Sequence, residues 1–227
     1  MARSALGIGF HGFDIADCYS LGLAEKRLSE IIKNSNNQIS LITKGGIRWK
    51  RKKNRAKTWK DSSPEYLNIA IKNSLKRLQI NKIPVYLIHW HDEKTDIIDS
   101  LNCIDRLKKN GYIEKIGISN PSIAWLKNHQ ILSLVDHIQV KDNLLRPFPF
   151  PPSFAKDKVN YNIKVSSYGV LSHGLLTDKY SNNHLYSKSD RRHRLNDFKD
   201  IRLINNRNIL YNIAAKEGKA LEEISIN

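Results

Sequence analysis

The chain has 227 residues, a length that suits one large domain or two small ones, and 40% of them are hydrophobic, which is enough for a core. This composition argues against an intrinsically disordered chain, and no apolar run approaches the roughly 18 residues that span a bilayer. The first residues soon become too polar for a secretory signal, so we expect a cytoplasmic protein, and the net charge of +16 suggests attraction to polyanions.

A short helical pattern opens the chain and ends at closely spaced glycines. Gly7, Gly9 and Gly12 match the G-x-G-x-x-G spacing of a dinucleotide-binding turn. Such a turn follows a strand and opens a helix, whereas this one follows a helical pattern and precedes an apolar run. We therefore interpret it as a helix-to-strand turn in which Gly7 or Gly9 ends the helix.

Six short apolar runs then alternate with amphipathic segments. The runs have the length and continuity of strands that are covered on both faces of a sheet. The amphipathic segments carry apolar residues at helical spacing, and the second opens with Ser62, Ser63, Pro64 and Glu65, which suit a capped helix start. The predicted strands cover residues 12–16, 38–43, 84–89, 113–118, 137–140 and 163–167.

This alternation predicts an α/β fold built from parallel β/α units, for which a doubly wound sheet and a (β/α)8 barrel of the TIM type compete. The barrel is favoured because catalytic side chains on the ends of several strands are typical of it. Only about six of its eight strands can be counted. We therefore expect a single barrel domain over residues 1–227 that lacks the first strand and the last β/α unit.

A cluster of cations lies between Arg48 and Lys60, in the sequence RWKRKKNRAKTWK. One interpretation is a patch that binds nucleic acid or phosphate groups, and the other is a solvated loop. No recognised nucleic-acid motif accompanies the cluster, so we predict no specific nucleic-acid partner. Because the cluster follows a strand end, it would instead attract an anionic cofactor or substrate.

Four side chains that can take part in proton transfer lie at or just past predicted strand ends: Asp14, Tyr19, Lys44 and His89. A lysine cation lowers the pKa of a neighbouring tyrosine, a carboxylate fixes the lysine, and a histidine can donate a hydrogen bond to a carbonyl. Such a group suits the protonation of a developing alkoxide. Carbonyl reduction at this site would also need a hydride cofactor.

The same strand end offers a competing chemistry. His89, His91, Asp92 and Glu93 carry metal-ligating groups, and barrel hydrolases hold metal ions at such positions. The H-x-H pair alone is a weak signal, no third ligand is identified by its spacing, and the two cysteines match no metal-binding motif. We therefore predict no metal site.

These residues stand in motifs that resemble the aldo-keto reductase family over nearly the whole chain. FDIADCYSLGLAE resembles the family's strand with its catalytic aspartate and tyrosine, LITKGG its catalytic-lysine strand, and PVYLIHW the strand that leads to its histidine. GYIEKIGISN, HIQVKDNLL and VSSYGVLSHGLLTDKY resemble its cofactor-binding segments. The resemblance implies reduction of a small aldehyde or ketone with NADPH, with NADH as an alternative cofactor.

The resemblance also implies a role for each matching residue. Tyr19 would be the general acid, Lys44 and Asp14 would tune it, His89 would orient the carbonyl, and Trp90 would line the substrate pocket. The implied cofactor-binding residues are Ser119, Asn120 and Gln139 at the nicotinamide amide, Tyr168 stacked on its ring, and Leu171, His173, Gly174 and Leu175 beside the pyrophosphate.

The matching segments begin inside the family's first helix and stop before the part that normally grips the adenosine 2′-phosphate. The alternative function is therefore a truncated, catalytically inactive aldo-keto reductase homologue. We expect no membrane partner, and the oligomeric state stays open.

Overall fold

The computed structural model describes residues 2–33, 39–51, 56–180 and 186–226. Strands and α-helices alternate along these ranges, joined by loops and short 3-10 turns. The strands are β1 Gly12–Asp14, β2 Ser40–Gly45, β3 Ile47–Arg51, β4 Ala56–Lys60, β5 Ile83–Ile88, β6 Ile113–Ser119, β7 His137–Lys141 and β8 Lys164–Tyr168. The helices are α1 Ala2–Gly7, α2 Leu23–Lys33, α3 Pro64–Leu78, α4 Ile97–Lys109, α5 His129–Leu132, α6 Phe154–Asn160, α7 Ile201–Lys216 and α8 Leu221–Ile226.

Six of these strands form one sheet in the order β1-β2-β5-β6-β7-β8. The pairs from β1 to β7 are parallel, with Asp14 opposite Ile42 and Lys44 opposite Leu87 in register. Neighbouring strands follow the order of the chain, with helices in the connections, as in an incomplete (β/α)8 barrel. The predicted incomplete barrel is therefore confirmed in preference to the doubly wound sheet.

The predicted strand positions agree with the structure to within a few residues. The first strand ends at Asp14 rather than at residue 16, and the second extends to Gly45, beyond its predicted end at residue 43. Residue 38, the predicted start of that second strand, lies outside the described residues. Helix α1 ends at Gly7, and Gly9 follows with a φ of +90°, a conformation that glycine adopts readily, so the helix-to-strand interpretation is confirmed.

Of the two interpretations left open for the cationic cluster, the solvated loop does not hold for its described residues, which form strands. Strands β3 and β4 pair antiparallel as a separate two-stranded sheet, with Ile47 opposite Lys60 and Lys50 opposite Lys57. Cations dominate this segment and conceal its strand pattern. The aromatic rings of Trp49 and Trp59 give the strands apolar surface to pack. Residues 52–55, which belong to the predicted cluster, lie outside the described residues.

The chain divides into two compact units, one formed by Met1–Gln139 with Phe150–Ser166 and the other by Val140–Pro149 with Ser167–Asn227. The prediction of a single domain stays a prediction. The core of the first unit includes the fully buried side chains of Leu67, Ile71, Leu87 and Ile104 from helices and strands. The core of the second unit includes Leu145, Leu175, Leu176, Tyr180, Leu203 and Leu221.

In the described ranges, no helix combines the length and the apolar character that crossing a membrane requires. The cytoplasmic location stays a prediction.

Helix α3 begins at a side-chain cap, as its sequence predicts. The hydroxyl of Ser63 accepts a hydrogen bond from the Tyr66 amide at 3.3 Å and donates one to Asp61 at 2.6 Å, and Pro64 occupies the first turn. We expect Ser63→Ala to lower the free energy of unfolding by about 1 kcal/mol, measured by urea denaturation. Ser133→Ala, at an exposed serine that follows α5, should change stability by less than about 0.5 kcal/mol. Equal losses of stability in the two variants would contradict a capping role for Ser63.

Candidate active site

The first two strands of the sheet bring together a buried cation and a carboxylate. Lys44, near the end of β2, is 2% exposed, and its ammonium forms an ion pair with Asp14 at the end of β1. The same ammonium donates a hydrogen bond to the carbonyl oxygen of Ile15 at 3.0 Å. A buried charge needs such partners, because loss of water is otherwise costly. The pairing fixes the position of the Lys44 ammonium.

Tyr19 and His89 complete the group at the same edge of the sheet. The Lys44 ammonium lies 5.6 Å from the centre of the Tyr19 ring. The rings of Tyr19 and His89 meet edge to face, with their centroids 5.7 Å apart and an angle of 78° between their planes. Tyr19 is 43% exposed, whereas His89 is buried behind it. The structure thus brings together all four residues that the sequence predicts for proton transfer.

Burial sets the protonation state of His89 and of the neighbouring Cys18. Loss of water, with a smaller contribution from the Lys44 cation, lowers the pKa of His89 to about 4, so its imidazole is neutral at neutral pH. Burial, followed by repulsion from Asp17, raises the pKa of the Cys18 thiol to about 12. The Cys18 sulfur lies 3.6 Å from Nδ1 of His89, and it is a protonated neighbour rather than a nucleophile.

Two glycines allow the strand end to pack closely. A side chain on Gly45 would collide with the buried hydroxyl of Tyr86, and Gly46 has a φ of +105° with the Trp90 carbonyl oxygen 3.0 Å from the position of a Cβ. The Gly45 carbonyl accepts a hydrogen bond of 2.6 Å from the His89 amide. This packing places Trp90, which is 38% exposed and follows His89, beside the lysine strand.

The predicted amide-binding residues of the first unit also converge. The side-chain amide of Asn120 donates to the Ser119 hydroxyl and to the His89 carbonyl, both at 3.1 Å, and the Ser119 hydroxyl donates to Gln139 at 3.4 Å. Asn120 has a φ of +57°, which turns its backbone at the end of β6. Hydroxyl and amide groups at adjacent strand ends form the kind of donor and acceptor set that recognises another amide.

Gln139 connects this amide group to the proton-transfer group, a contact that sequence reasoning missed. Its side-chain amide donates to Asp14 at 3.0 Å and to Ser166 at 3.4 Å, and the Ser166 hydroxyl lies 2.7 Å from Nε2 of the buried His137. Asp14 and Gln139 are 125 positions apart, so no local pattern could have indicated the bond.

The remaining predicted residues belong to the second unit. His173 has a φ of +57° and an exposed ring, and Gly174 follows with a φ of +98°. Leu171 and Tyr168 are partly exposed, but the side chain of Leu175 is fully buried in the core of this unit. The Leu175 amide donates to the Ser172 carbonyl and its carbonyl accepts from Arg207, so Leu175 serves the packing of this unit. The cofactor contacts of these five residues stay predictions.

Asp17 is a second feature that the sequence did not reveal. It is 1% exposed, and neither carboxylate oxygen has a hydrogen-bond partner among the described residues. Burial, reinforced by the negative charge of Glu25, raises its pKa to about 8. Glu25 is fully buried and pairs with Arg77 at 2.5 Å. Asp17 thus keeps its proton in the folded protein at neutral pH.

The metal-ligating groups near His89 do not form a cluster. In the part of the chain that the structure describes, no three His, Cys, Asp or Glu side chains are placed to hold a metal ion. The His91 ring packs edge to face on Trp125, with a centroid distance of 5.1 Å. Asp92 accepts hydrogen bonds from Ser62 and from Thr95. The predicted lack of a metal stays a prediction.

Comparisons with known proteins place this site in context. The model of the aldo/keto reductase family matches residues 1–227. The chain is 31% identical to the aldo-keto reductase YhdN of Bacillus subtilis over 201 residues, 84% of this chain and 56% of YhdN. It is 28% identical to the NADH-specific methylglyoxal reductase of Escherichia coli over 179 residues, 74% of this chain and 55% of that enzyme. The chain spans about half the length of these curated relatives.

A solved structure resembles the fold closely. The glycerol dehydrogenase AKR11B4 of Gluconobacter oxydans superimposes with a TM-score of 0.86 at 26% sequence identity, over 99% of this chain and 70% of that one. This structural similarity and the match of the family model over every residue confirm the resemblance inferred from the motifs. This chain belongs to the aldo/keto reductase family.

Proposed function

We propose that this chain carries the catalytic site of a reductase that uses NADPH or NADH to convert an aldehyde or a ketone into an alcohol. The observation that supports the proposal best is the buried Lys44 ammonium, paired with Asp14 and 5.6 Å from the Tyr19 ring. A cation so placed favours the phenolate, which makes the phenol of Tyr19 a better proton donor. The family of the chain supports the same reaction class.

In this proposal, His89 orients the substrate and Tyr19 protonates it. Because the imidazole of His89 is neutral, one ring nitrogen donates a hydrogen bond and can point it at the substrate carbonyl oxygen. As negative charge develops on that oxygen, Tyr19 transfers its proton and the nearby Lys44 cation stabilises the phenolate that is left. Asp14 keeps Lys44 in position throughout.

The residues of the first unit fit a nicotinamide cofactor. Its carboxamide offers one donor group and one acceptor, which match the hydroxyl of Ser119 and the amides of Asn120 and Gln139. When bound, the reduced cofactor supplies the hydride. The bond from Gln139 to Asp14 would connect the amide-binding residues to the lysine that acts on Tyr19. We propose NADPH as the cofactor from the family resemblance, with NADH as the alternative.

The proposal is tested with purified protein, each reduced dinucleotide, and a panel of aldehydes and ketones. We expect the absorbance of the reduced dinucleotide to fall only when a carbonyl compound is present. A folded protein that binds the dinucleotide but never oxidises it would support the inactive homologue instead. Absence of both binding and turnover in a folded sample would refute the proposed cofactor site as well.

A further inference from the structure

A lysine at the base of the β3–β4 hairpin lies next to the proposed substrate site. The hairpin leaves the sheet at Ile47, which pairs with Lys60 where it returns. The next residue, Asp61, donates a backbone hydrogen bond of 3.0 Å to the Gly46 carbonyl. Gly46 follows Lys44 by two positions and packs against the Trp90 backbone. Lys60 is therefore held close to the end of the catalytic strand.

The ammonium of Lys60 lies over the ring of Trp90, 5.2 Å from its centroid. Trp90 follows His89, and its ring is one of the exposed apolar surfaces beside the proton-transfer group. Cation–π contact at a partly exposed site holds a lysine only weakly, so the ammonium keeps most of its hydrogen-bonding capacity. Lys60 thus presents a positive charge beside the Trp90 ring, which is predicted to line the substrate pocket.

Three carboxylates, Asp61, Asp92 and Glu93, line the same pocket as Lys60, and two of them accept hydrogen bonds from other groups. Asp61 accepts hydrogen bonds from Arg48 at 3.0 Å and from Ser63 at 2.6 Å, and Asp92 accepts several from Ser62 and Thr95. Among the described residues, no carboxylate lies within ion-pair distance of Lys60. The Lys60 ammonium therefore has no direct ion-pair partner within the described residues.

Arg48, Lys50 and Lys57, three other cations of the described hairpin residues, are placed differently. Arg48 pairs with Asp61 and packs over the rings of Trp59 and Tyr66, so it stabilises the hairpin itself. Lys50 and Lys57 face each other farther along the hairpin, away from Gly46. Of these four described cations, Lys60 is thus the one that is placed to reach a substrate held between Tyr19, His89 and Trp90.

We infer that Lys60 selects carbonyl substrates that carry an anionic group, a carboxylate or a phosphate, a few bonds from the reacting carbon. This inference rests on the proposed function, because it assigns a substrate class to the same site. The carbonyl would point at Tyr19 and His89 while the anionic group meets the Lys60 ammonium. A charge-assisted hydrogen bond of this kind discriminates well between an anion and its neutral analogue.

The test compares matched substrates rather than single rates. Succinic semialdehyde is assayed against its methyl ester, and glyceraldehyde phosphate against glyceraldehyde, with the wild type, Lys60→Met and the control Lys57→Met. We expect the wild type to favour the anionic member of at least one pair by about tenfold in kcat/KM. A preference within the succinic semialdehyde pair would indicate a carboxylate, and one within the glyceraldehyde pair would indicate a phosphate. Lys60→Met should abolish the preference, Lys60→Arg should retain most of it, and Lys57→Met should leave it unchanged.

Two failures are distinguishable. If the wild type reduces charged and neutral aldehydes with equal kcat/KM, or if Lys60→Met keeps the wild-type preference, the role of Lys60 is refuted and the reductase function stands. If no aldehyde of either pair supports oxidation of the dinucleotide, the reductase function fails and the inference fails with it.

Discussion

Tyr19→Phe should lower kcat for aldehyde reduction by about 10²-fold or more while the affinity for the dinucleotide stays the same. The substitution removes only the phenolic hydroxyl, and general acid catalysis typically contributes about 10²- to 10⁴-fold. The ring that packs against His89 and lies near the Lys44 ammonium remains. Because Tyr19 is 43% exposed, the free energy of unfolding should change by less than about 0.5 kcal/mol.

The measurement combines steady-state kinetics with a fluorescence titration of the reduced dinucleotide. Tyr112→Phe is the matched control, since Tyr112 is 39% exposed and precedes β6, at the opposite end of the strands from the site. It should retain the wild-type kcat. If Tyr19→Phe also retained it, the proton would have to come from another group, and the proposed mechanism would be wrong.

The convergence of the proton-transfer group could be predicted because it follows from the topology. Parallel strands covered on both faces leave continuous apolar runs in the sequence, and their C-terminal ends meet at one edge of the sheet. Asp14, Lys44 and His89 each lie at or just past such an end. Their proximity therefore needed only the correct strand positions, which the apolar runs indicated.

The hairpin could not be predicted because long-range contacts stabilise it. Its cations suggest a solvated loop, yet the Arg48 guanidinium lies 4.8 Å from the centre of the Tyr66 ring, and the Arg77 guanidinium lies 5.7 Å from that of Trp49. The sequence contains these residues, but it does not tell which of them meet, because that depends on how helix α3 packs. The position of Lys60 over Trp90 is likewise a long-range contact that no local pattern indicates.

Asp17 shows another limit of sequence reasoning. An aspartate between a strand and a helix normally belongs to a hydrated loop or caps the helix, and nothing in FDIADCYSLGLAE distinguishes it from one. In the fold its carboxylate and the Tyr86 hydroxyl both lie close to the place where a Gly45 side chain would stand. A hydrated aspartate would be charged at neutral pH, whereas burial raises the pKa of Asp17 to about 8.

Asp17→Asn should make the protein more stable than the wild type at neutral and alkaline pH. The pKa of Asp17 is about 8 in the folded protein and near the ordinary 3.8 when unfolded, so between these values only the folded state holds the proton. Raising the pH then favours the unfolded state. The wild-type free energy of unfolding should fall, relative to that of the variant, by about 1 kcal/mol per pH unit.

The measurement is urea denaturation of both proteins at several pH values from 5 to 8, with the difference between them taken at each pH. Taking the difference removes the opposite trend of His89, whose lowered pKa makes stability rise as the pH increases from about 4 to 6.5. Asp105→Asn is the control, because Asp105 pairs with Lys109 on the surface of α4, and its difference from the wild type should not vary over this range. If the difference in unfolding free energy between Asp17→Asn and the wild type stayed constant from pH 5 to 8, Asp17 would have to be ionised in the folded state. Its buried carboxylate would then need a proton donor or a bound water that compensates the charge, and the polar interior beside the catalytic strand would be hydrated rather than dry.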